Sequence, residues 1–189
     1  VTPTTDSKTK IVVTGVGATL KSLATDVDTV DAAAATGEIT IAAADRPDTA
    51  MTITTSTGDD SIAMDHKNDV IDAGTGTDTL VVGGNGVLGG FAVDLSSTTD
   101  QLTQYGGVAN AAVQKGFESV DLGALTGSYG SDVTGSDGAN TITVNDQNSN
   151  VDAGKGNDTI SGGEGTDVLL GGKGDDTFII RTVKDFFSA

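Results

Sequence analysis

The sequence predicts an all-β solenoid, and three observations predict it. A nine-residue phrase recurs through the chain, twice in succession in GGEGTDVLLGGKGDDTFII, residues 162–180. Apolar residues return at the same nine-residue step. The acids are lopsided, with 24 Asp and 3 Glu among 27. Asp favours turns because its carboxylate bonds nearby backbone, whereas Glu suits helices.

The phrase reads two glycines, any residue, glycine, any residue, aspartate, any residue, a large apolar residue, any residue. Val133, Ile142, Val151, Ile160, Leu169 and Phe178 stand nine apart, and Phe187 continues the series. Ile53, Ile62, Ile71 and Leu80 form a second ladder with the same step. A helix needs apolar spacings of three and four, which these segments lack. A short fixed period marks a solenoid, in which each repeat adds a turn and one rung to a continuous interior. A flexible Gly-rich linker would not hold seven rungs in one register.

Composition agrees with a thin interior. Of 189 residues only 4% are aromatic, and no run of apolar residues is long enough to span a membrane. A formal net charge of −17 argues against binding nucleic acid or anionic lipid surfaces. There is no cysteine, so no disulfide reinforces the fold. The start, VTPTTDSKTK, has no Met and no signal-peptide pattern, and it reads as a piece of a longer protein.

The residue types of the phrase point to a hard cation. Glycines reach positive φ, so Gly-x-Gly curls tightly and aims backbone carbonyls inward. The Asp at the end of the curl adds an anionic oxygen. Oxygen ligands without nitrogen or sulfur suit Ca²⁺ better than a transition metal. The apolar residue two positions later then enters the interior from a short strand.

These motifs resemble the RTX calcium-binding nonapeptide repeats. The match is closest in GGEGTDVLL and GGKGDDTFI, then AGKGNDTIS (153–161) and AGTGTDTLV (73–81). It is weaker in TSTGDDSIA (55–63) and in GSDGANTIT (135–143), where Asn140 replaces the Asp. MDHKNDVID and VNDQNSNVD keep the rung but lose the glycines. The resemblance implies a right-handed parallel β-roll, secreted by Gram-negative bacteria and folding in extracellular Ca²⁺. It also implies two nonapeptides per coil, with each ion between turns eighteen residues apart.

That spacing ranks the metal candidates. Asp158 and Asp176 are the leading pair, and Asp60 and Asp78 match them in the first array. Asn140 can pair with Asp158. Asp167 faces Ser149 and Asp185, whose own turn has no glycine. The turn glycines Gly154, Gly156, Gly163, Gly165, Gly172 and Gly174 would lend carbonyls. Asp69 shares its turn with Lys67 and reads as a turn cap, which is the competing role for every one of these aspartates. An EF-hand is excluded, because DQNSNVDAGKGN has Val151 where Gly belongs and Asn157 where Glu belongs.

No catalytic residues are expected. The lone His66 in MDHKND offers no HExxH helix, and there is no GxSxG elbow, Walker A or cysteine. GGNGVLGG (83–90) lacks the Lys of a phosphate loop and reads as a turn.

The organisation follows from these motifs. Residues 1–54 read as irregular solenoid coils, 55–81 as a first array, 82–134 as interrupting strands and loop, and 135–189 as a second array with a degenerate last coil. Within the interruption, FAVDLSS and GFESVDLGAL alternate like strands, and the span between them reads as a surface loop or short helix. "GFESVDL" between repeat arrays is similar to segments of bacterial S-layer and adhesin chains. The terminal DFFSA is somewhat similar to a type I secretion signal, and equally to a frayed coil. Three functions are open: a calcium-folded structural module of a secreted surface protein that self-associates, the secretion module of a protease or lipase, or a carbohydrate-binding module. The interrupted arrays favour the first, and the absence of Trp weighs against the third.

Overall fold

A computed structural model describes residues 9–24, 26–42, 50–83, 89–181 and 186–188. Among them there is no helix, and short strands stack into a parallel β-roll in which each coil gives one strand to each of two faces. The first four coils are β1 (Thr9–Gly15) with β2 (Ala18–Leu20), β3 (Val27–Ala35) with β4 (Ile39–Ile41), β5 (Thr52–Thr54) with β6 (Ser61–Met64), and β7 (Val70–Asp72) with β8 (Thr79–Val82). An excursion follows through β9 (Phe91–Asp94), β10 (Leu102–Tyr105) and β11 (Val108–Ala109). The fifth coil is β12 (Gln114–Lys115) with β13 (Ser119–Asp121). Then come β14 (Ser131–Ser136) with β15 (Thr141–Thr143), β16 (Asn150–Gly154) with β17 (Thr159–Ser161), and β18 (Val168–Leu170) with β19 (Thr177–Ile179), and β20 (Phe186–Ser188) opens a further coil.

The nine-residue step becomes an eighteen-residue coil because successive rungs alternate between faces. Ile53 pairs with Ile71 on one face, and Ile62 with Leu80 on the other. In the second array Val133, Val151, Leu169 and Phe187 form one column, and Ile142, Ile160 and Phe178 the other. Strands such as Thr-Ile-Thr suit this role: the β-branched residues favour extended backbone, and the period of two turns one side chain inward. The inward residues form a single buried cluster running from Val13 to Leu169.

Of the early runs, IVVTG lies in β1, ITI forms β4 and TIT forms β5, and Ala32–Ala35 is the end of β3. These coils are longer than the repeat. Ala18 pairs with Ile39 and Val30 with Ile53, offsets of 21 and 23 residues.

The interruption does not break the roll. On the second face β13 pairs with β8 below, Ser119 opposite Thr79, and with β15 above, Val120 opposite Ile142. That face is one continuous eight-stranded sheet. On the first face two sheets meet: β12 closes the lower one on β7, while β9 starts the upper one beneath β14 and turns back antiparallel into β10. The span read as loop or short helix therefore holds β10, β11 and β12.

Side-chain amides, two of them buried, stitch the junction between the two sheets of the first face. Gln101 donates Nε2–H to the carbonyls of Leu95 (3.0 Å) and Phe117 (2.8 Å), and its Oε1 accepts the Phe117 N–H (2.8 Å). Gln114 Nε2 donates to the Asp69 carbonyl, and Asn110 Nδ2 donates to Gln114 Oε1.

Candidate metal centre

The turns that carry the chain from the first face to the second stack along one edge. From the third coil on they span residues 55–60, 73–78, 116–118, 137–140, 155–158 and 171–176. Backbone contact between them is close enough to require glycine. Gly154 has φ +93°, and a Cβ there would lie 2.4 Å from the Ser136 carbonyl oxygen. Gly172 stands in the same relation to Gly154, at 2.1 Å. Short bridges, Thr57 with Thr75 and Lys155 with Lys173, lock the turns in register.

The acids at the ends of these turns form a ladder. In each step one carboxylate oxygen accepts the backbone N–H of its counterpart one coil earlier. Asp60 Oδ1 takes Ile39 N–H (2.7 Å), Asp78 Oδ1 takes Asp60 N–H (2.7 Å), and Glu118 Oε2 takes Asp78 N–H (2.8 Å). In the second array Asp158 Oδ1 takes Asn140 N–H (2.8 Å), and Asp176 Oδ1 takes Asp158 N–H (3.1 Å). The paired aspartates thus meet across eighteen residues. Asp60, Asp78 and Asp158 are almost wholly buried.

One oxygen of each acid serves the fold, and the other is left over. Oδ2 of Asp60, Asp78, Asp158 and Asp176 is buried with no hydrogen-bond donor. A buried anionic oxygen without a partner is costly. Burial pushes the Asp78 carboxyl up to about 7; the charges of Asp60, Glu118 and Asp59 add to that, and the Asp60 N–H opposes it. Burial likewise raises Asp158, opposed by the Asn140 N–H and reinforced by Asp176.

The opposite edge is different. Asp167 is buried and its Oδ1 accepts the Ser149 N–H (2.8 Å), with Ser149 Oγ in turn accepting the Ser131 N–H (3.0 Å). Gly163 and Gly165 stack there on the 144–149 turn, at Asn145 and Gln147. Asp185 lies outside the described residues. Asp69 spends both oxygens on backbone, Oδ1 on Met51 N–H (2.7 Å) and Oδ2 on His66 N–H (3.1 Å). Asn140 is also committed: its Oδ1 accepts Ser136 N–H (2.7 Å), and its Nδ2 donates to the Glu118 carbonyl (2.6 Å).

Two features escaped the sequence reading. Glu118 takes the aspartate position of the fifth coil, and Gly116-Phe117-Glu118-Ser119-Val120 does keep the phrase's spacing of glycine, acid and apolar rung. A 40-residue separation from Asp78 hid it. The residues before Asp60 and Asp158, and before Ser149 on the opposite edge, bond the other way: Asp59, Asn157 and Asn148 accept the N–H groups of Thr77 (2.9 Å), Asp175 (3.0 Å) and Thr166 (2.9 Å).

The donor set fits a hard cation. Among the described residues no three carboxylate or histidine groups converge, so any ion must draw on backbone carbonyls as well as carboxylates. The stacked turns supply both. A Cβ on Gly171 would fall 2.1 Å from Asp176 Oδ2, and one on Gly162 would fall 2.7 Å from Asp167 Oδ2, so glycine keeps these oxygens accessible from within the turn. Such oxygen cradles are suited to Ca²⁺. When bound, Ca²⁺ supplies positive charge to carboxylates that otherwise repel one another. Asp60, Asp78, Asp158 and Asp176 are the side chains placed to hold it.

A parallel β-roll with a row of half-satisfied carboxylates along stacked glycine turns defines a calcium-binding repeat module. Comparison with protein families agrees: a family model, HemolysinCabind, the RTX calcium-binding nonapeptide repeat in four copies, matches residues 67–86, 134–169 and 144–178. The chain therefore carries RTX calcium-binding nonapeptide repeats. No curated protein and no solved structure matches it.

Proposed function

We propose that the chain is a non-catalytic structural module of a secreted bacterial surface protein, of the S-layer or adhesin kind, folded and joined to further copies by Ca²⁺. The observation that carries this reading is the continuity of the roll through the 82–134 interruption. Long coils, an excursion and regular coils share one eight-stranded face. Such a body suits a load-bearing rod better than a compact array that only assists secretion. No helix among the described residues is long and apolar enough to cross a membrane. Exposed apolar residues near the last described coils, Leu170, Ile179 and Ile180, suit contact with further structure.

The test is sedimentation over a range of Ca²⁺ and protein concentrations. Association into higher oligomers in millimolar Ca²⁺, reversed by chelator, is expected. A monomer under every condition would favour the alternative, a carboxy-terminal secretion and folding module of a type I-secreted protease or lipase.

A further inference from the structure

We propose that Glu118 is a calcium ligand, closing with Asp78 a cation site between the fourth and fifth coils. The site would carry the metal ladder across the excursion that separates the two arrays. The inference rests on the reading that the aspartate turns bind Ca²⁺.

Three observations support it. The first is register. Glu118 does for Asp78 what Asp78 does for Asp60 and Asp176 does for Asp158, accepting the backbone N–H of the preceding acid with one oxygen. The two turns are also joined in the other direction, because Glu118 N–H (3.1 Å) and Ser119 N–H (2.9 Å) both donate to the Asp78 carbonyl. The second is the orphan oxygen. Asp78 is 0% exposed, and its Oδ2 has no donor although it lies in the turn that Glu118 covers. A buried anionic oxygen there needs a cation or a proton. The third is backbone shape. Gly116 has φ +86°, and a Cβ on it would lie 3.0 Å from Gly74 N, so the short 116–118 turn rests directly on the 73–78 glycine turn.

A cavity of about 360 Å³ opens beside Glu118, with Gly74, Gly116 and Ser136 also in its wall. Lys115, also in the wall, is held by Asp72 at 2.9 Å. Glu has one methylene more than Asp, and it accepts the Asp78 N–H from a three-residue turn that follows the six-residue 73–78 turn.

Calorimetric titration of the full chain with Ca²⁺ tests this, using wild type, Glu118→Gln and Asp176→Asn. Gln can still accept the Asp78 N–H, so the fold is kept while the charge is removed. Glu118→Gln is expected to bind one ion fewer than wild type, as is Asp176→Asn. Loss in Asp176→Asn with an unchanged count and affinity in Glu118→Gln would overturn the Glu118 site and leave the aspartate turns standing. A wild-type chain that takes up no Ca²⁺ would instead overturn the underlying reading. Hydrogen exchange on the unmodified protein gives a second readout that needs no variant to fold. The Asp78 amide, which donates to Glu118, should gain protection over the same Ca²⁺ range as the Asp158 amide. Protection of Asp158 alone would sink the proposal.

Discussion

Between residues 9 and 42 the coils are long, and their turns carry no calcium phrase. Between 135 and 181 they are eighteen residues each, and their turns are mostly glycine and acid. The early coils bury Val13, Val27, Val30, Ala32, Ala35, Ile39 and Ile41, several from a single strand. Turns in both regions make direct backbone bonds, Thr36 N–H to Gly15 O (2.7 Å) in the first and Lys155 N–H to Ser136 O (2.9 Å) in the second, so the difference lies in the acids. Among the described residues before Asp60, no buried carboxylate oxygen lacks a partner. The later strands bury one or two apolar side chains each, at roughly 0.8 kcal/mol per methylene. Ordering each residue opposes that with about 1.5 kcal/mol. One region is closed by its own groups, and the other is left with unpaired negative charge at its turns. The stacking is the same, but only the second has made a cation part of the fold.

Chelation should break the comparison open. Each ion at about a hundredfold excess over its Kd contributes about 2.7 kcal/mol if it ignores the unfolded chain, so several ions exceed the margin of so thin a core. Extracellular calcium modules bind at roughly 10⁻⁴ to 10⁻³ M. In chelator, amides of 135–181 should lose most of their hydrogen-exchange protection and the β signal in circular dichroism should fall, while amides of 27–35 and 39–41 stay protected. Mg²⁺ should not restore the loss, because it demands tight octahedral geometry. If both regions lost protection together, the roll would be one cooperative unit and the contrast would be wrong.

Glycine substitutions separate open from stacked positions, and stacked ones occur in both regions, since a Cβ on Gly37 would lie 2.0 Å from the Val16 carbonyl oxygen. Gly15 has φ +107° with nothing within 4 Å of its Cβ position, so Gly15→Ala meets only left-handed strain, about 1–2 kcal/mol. Gly154 also has positive φ, but its Cβ would meet the Ser136 carbonyl at 2.4 Å, and backbone cannot swing aside. Gly154→Ala should cost about 3–5 kcal/mol by chemical denaturation in Ca²⁺. Equal costs would show that the array turns are not held by their stacking.

A single ion is a smaller step. Asp158→Asn keeps an oxygen for the Asn140 N–H and removes the charge, so it should lose one Ca²⁺ and about 2.7 kcal/mol at a hundredfold excess. Asp69→Asn should lose none, because both Asp69 oxygens already serve backbone N–H groups. Calorimetry that found the same loss in both would remove the distinction between cap and ligand.

Much of this contrast was legible in the residues. The nine-residue ladder specified both faces, because alternate rungs belong to alternate sheets, and the eighteen-residue pairs meet as their spacing required. Asp69 was readable as a cap from Lys67 and the missing glycines. The junction was not legible. Gln101, Gln114 and Asn110 act through side-chain bonds to carbonyls far away in sequence, and no periodicity marks such contacts. Glu118 kept the local pattern but sat 40 residues from its partner, with an excursion between them. The commitment of Asn140 to Ser136 and Glu118 was likewise invisible, since an amide at an aspartate position reads as a weaker ligand until its own donors are placed.

The pH dependence carries a sign that separates metal-free from metal-bound protein. Burial, reinforced by Asp60, Glu118 and Asp59, holds the Asp78 carboxyl at about 7, above its ordinary 3.8. Between those values the metal-free folded chain keeps a proton that the unfolded chain has released. Stability without Ca²⁺ must therefore fall as pH rises from about 4 to about 7 and level off above. Calcium competes with that proton, so its affinity should rise over the same window and the gap between loaded and metal-free melting temperatures should widen. A carboxyl shift of that size corresponds to up to about 4 kcal/mol, on the order of ten degrees in Tm for a chain of this size. Thermal melts in chelator at pH values of about 4, 5.5 and 7 measure it, and Asp78→Asn, which cannot titrate, should flatten the profile. A metal-free melting temperature that climbed toward neutral pH would show that the Asp78 carboxylate is already satisfied within the protein, and that the fourth turn needs no ion.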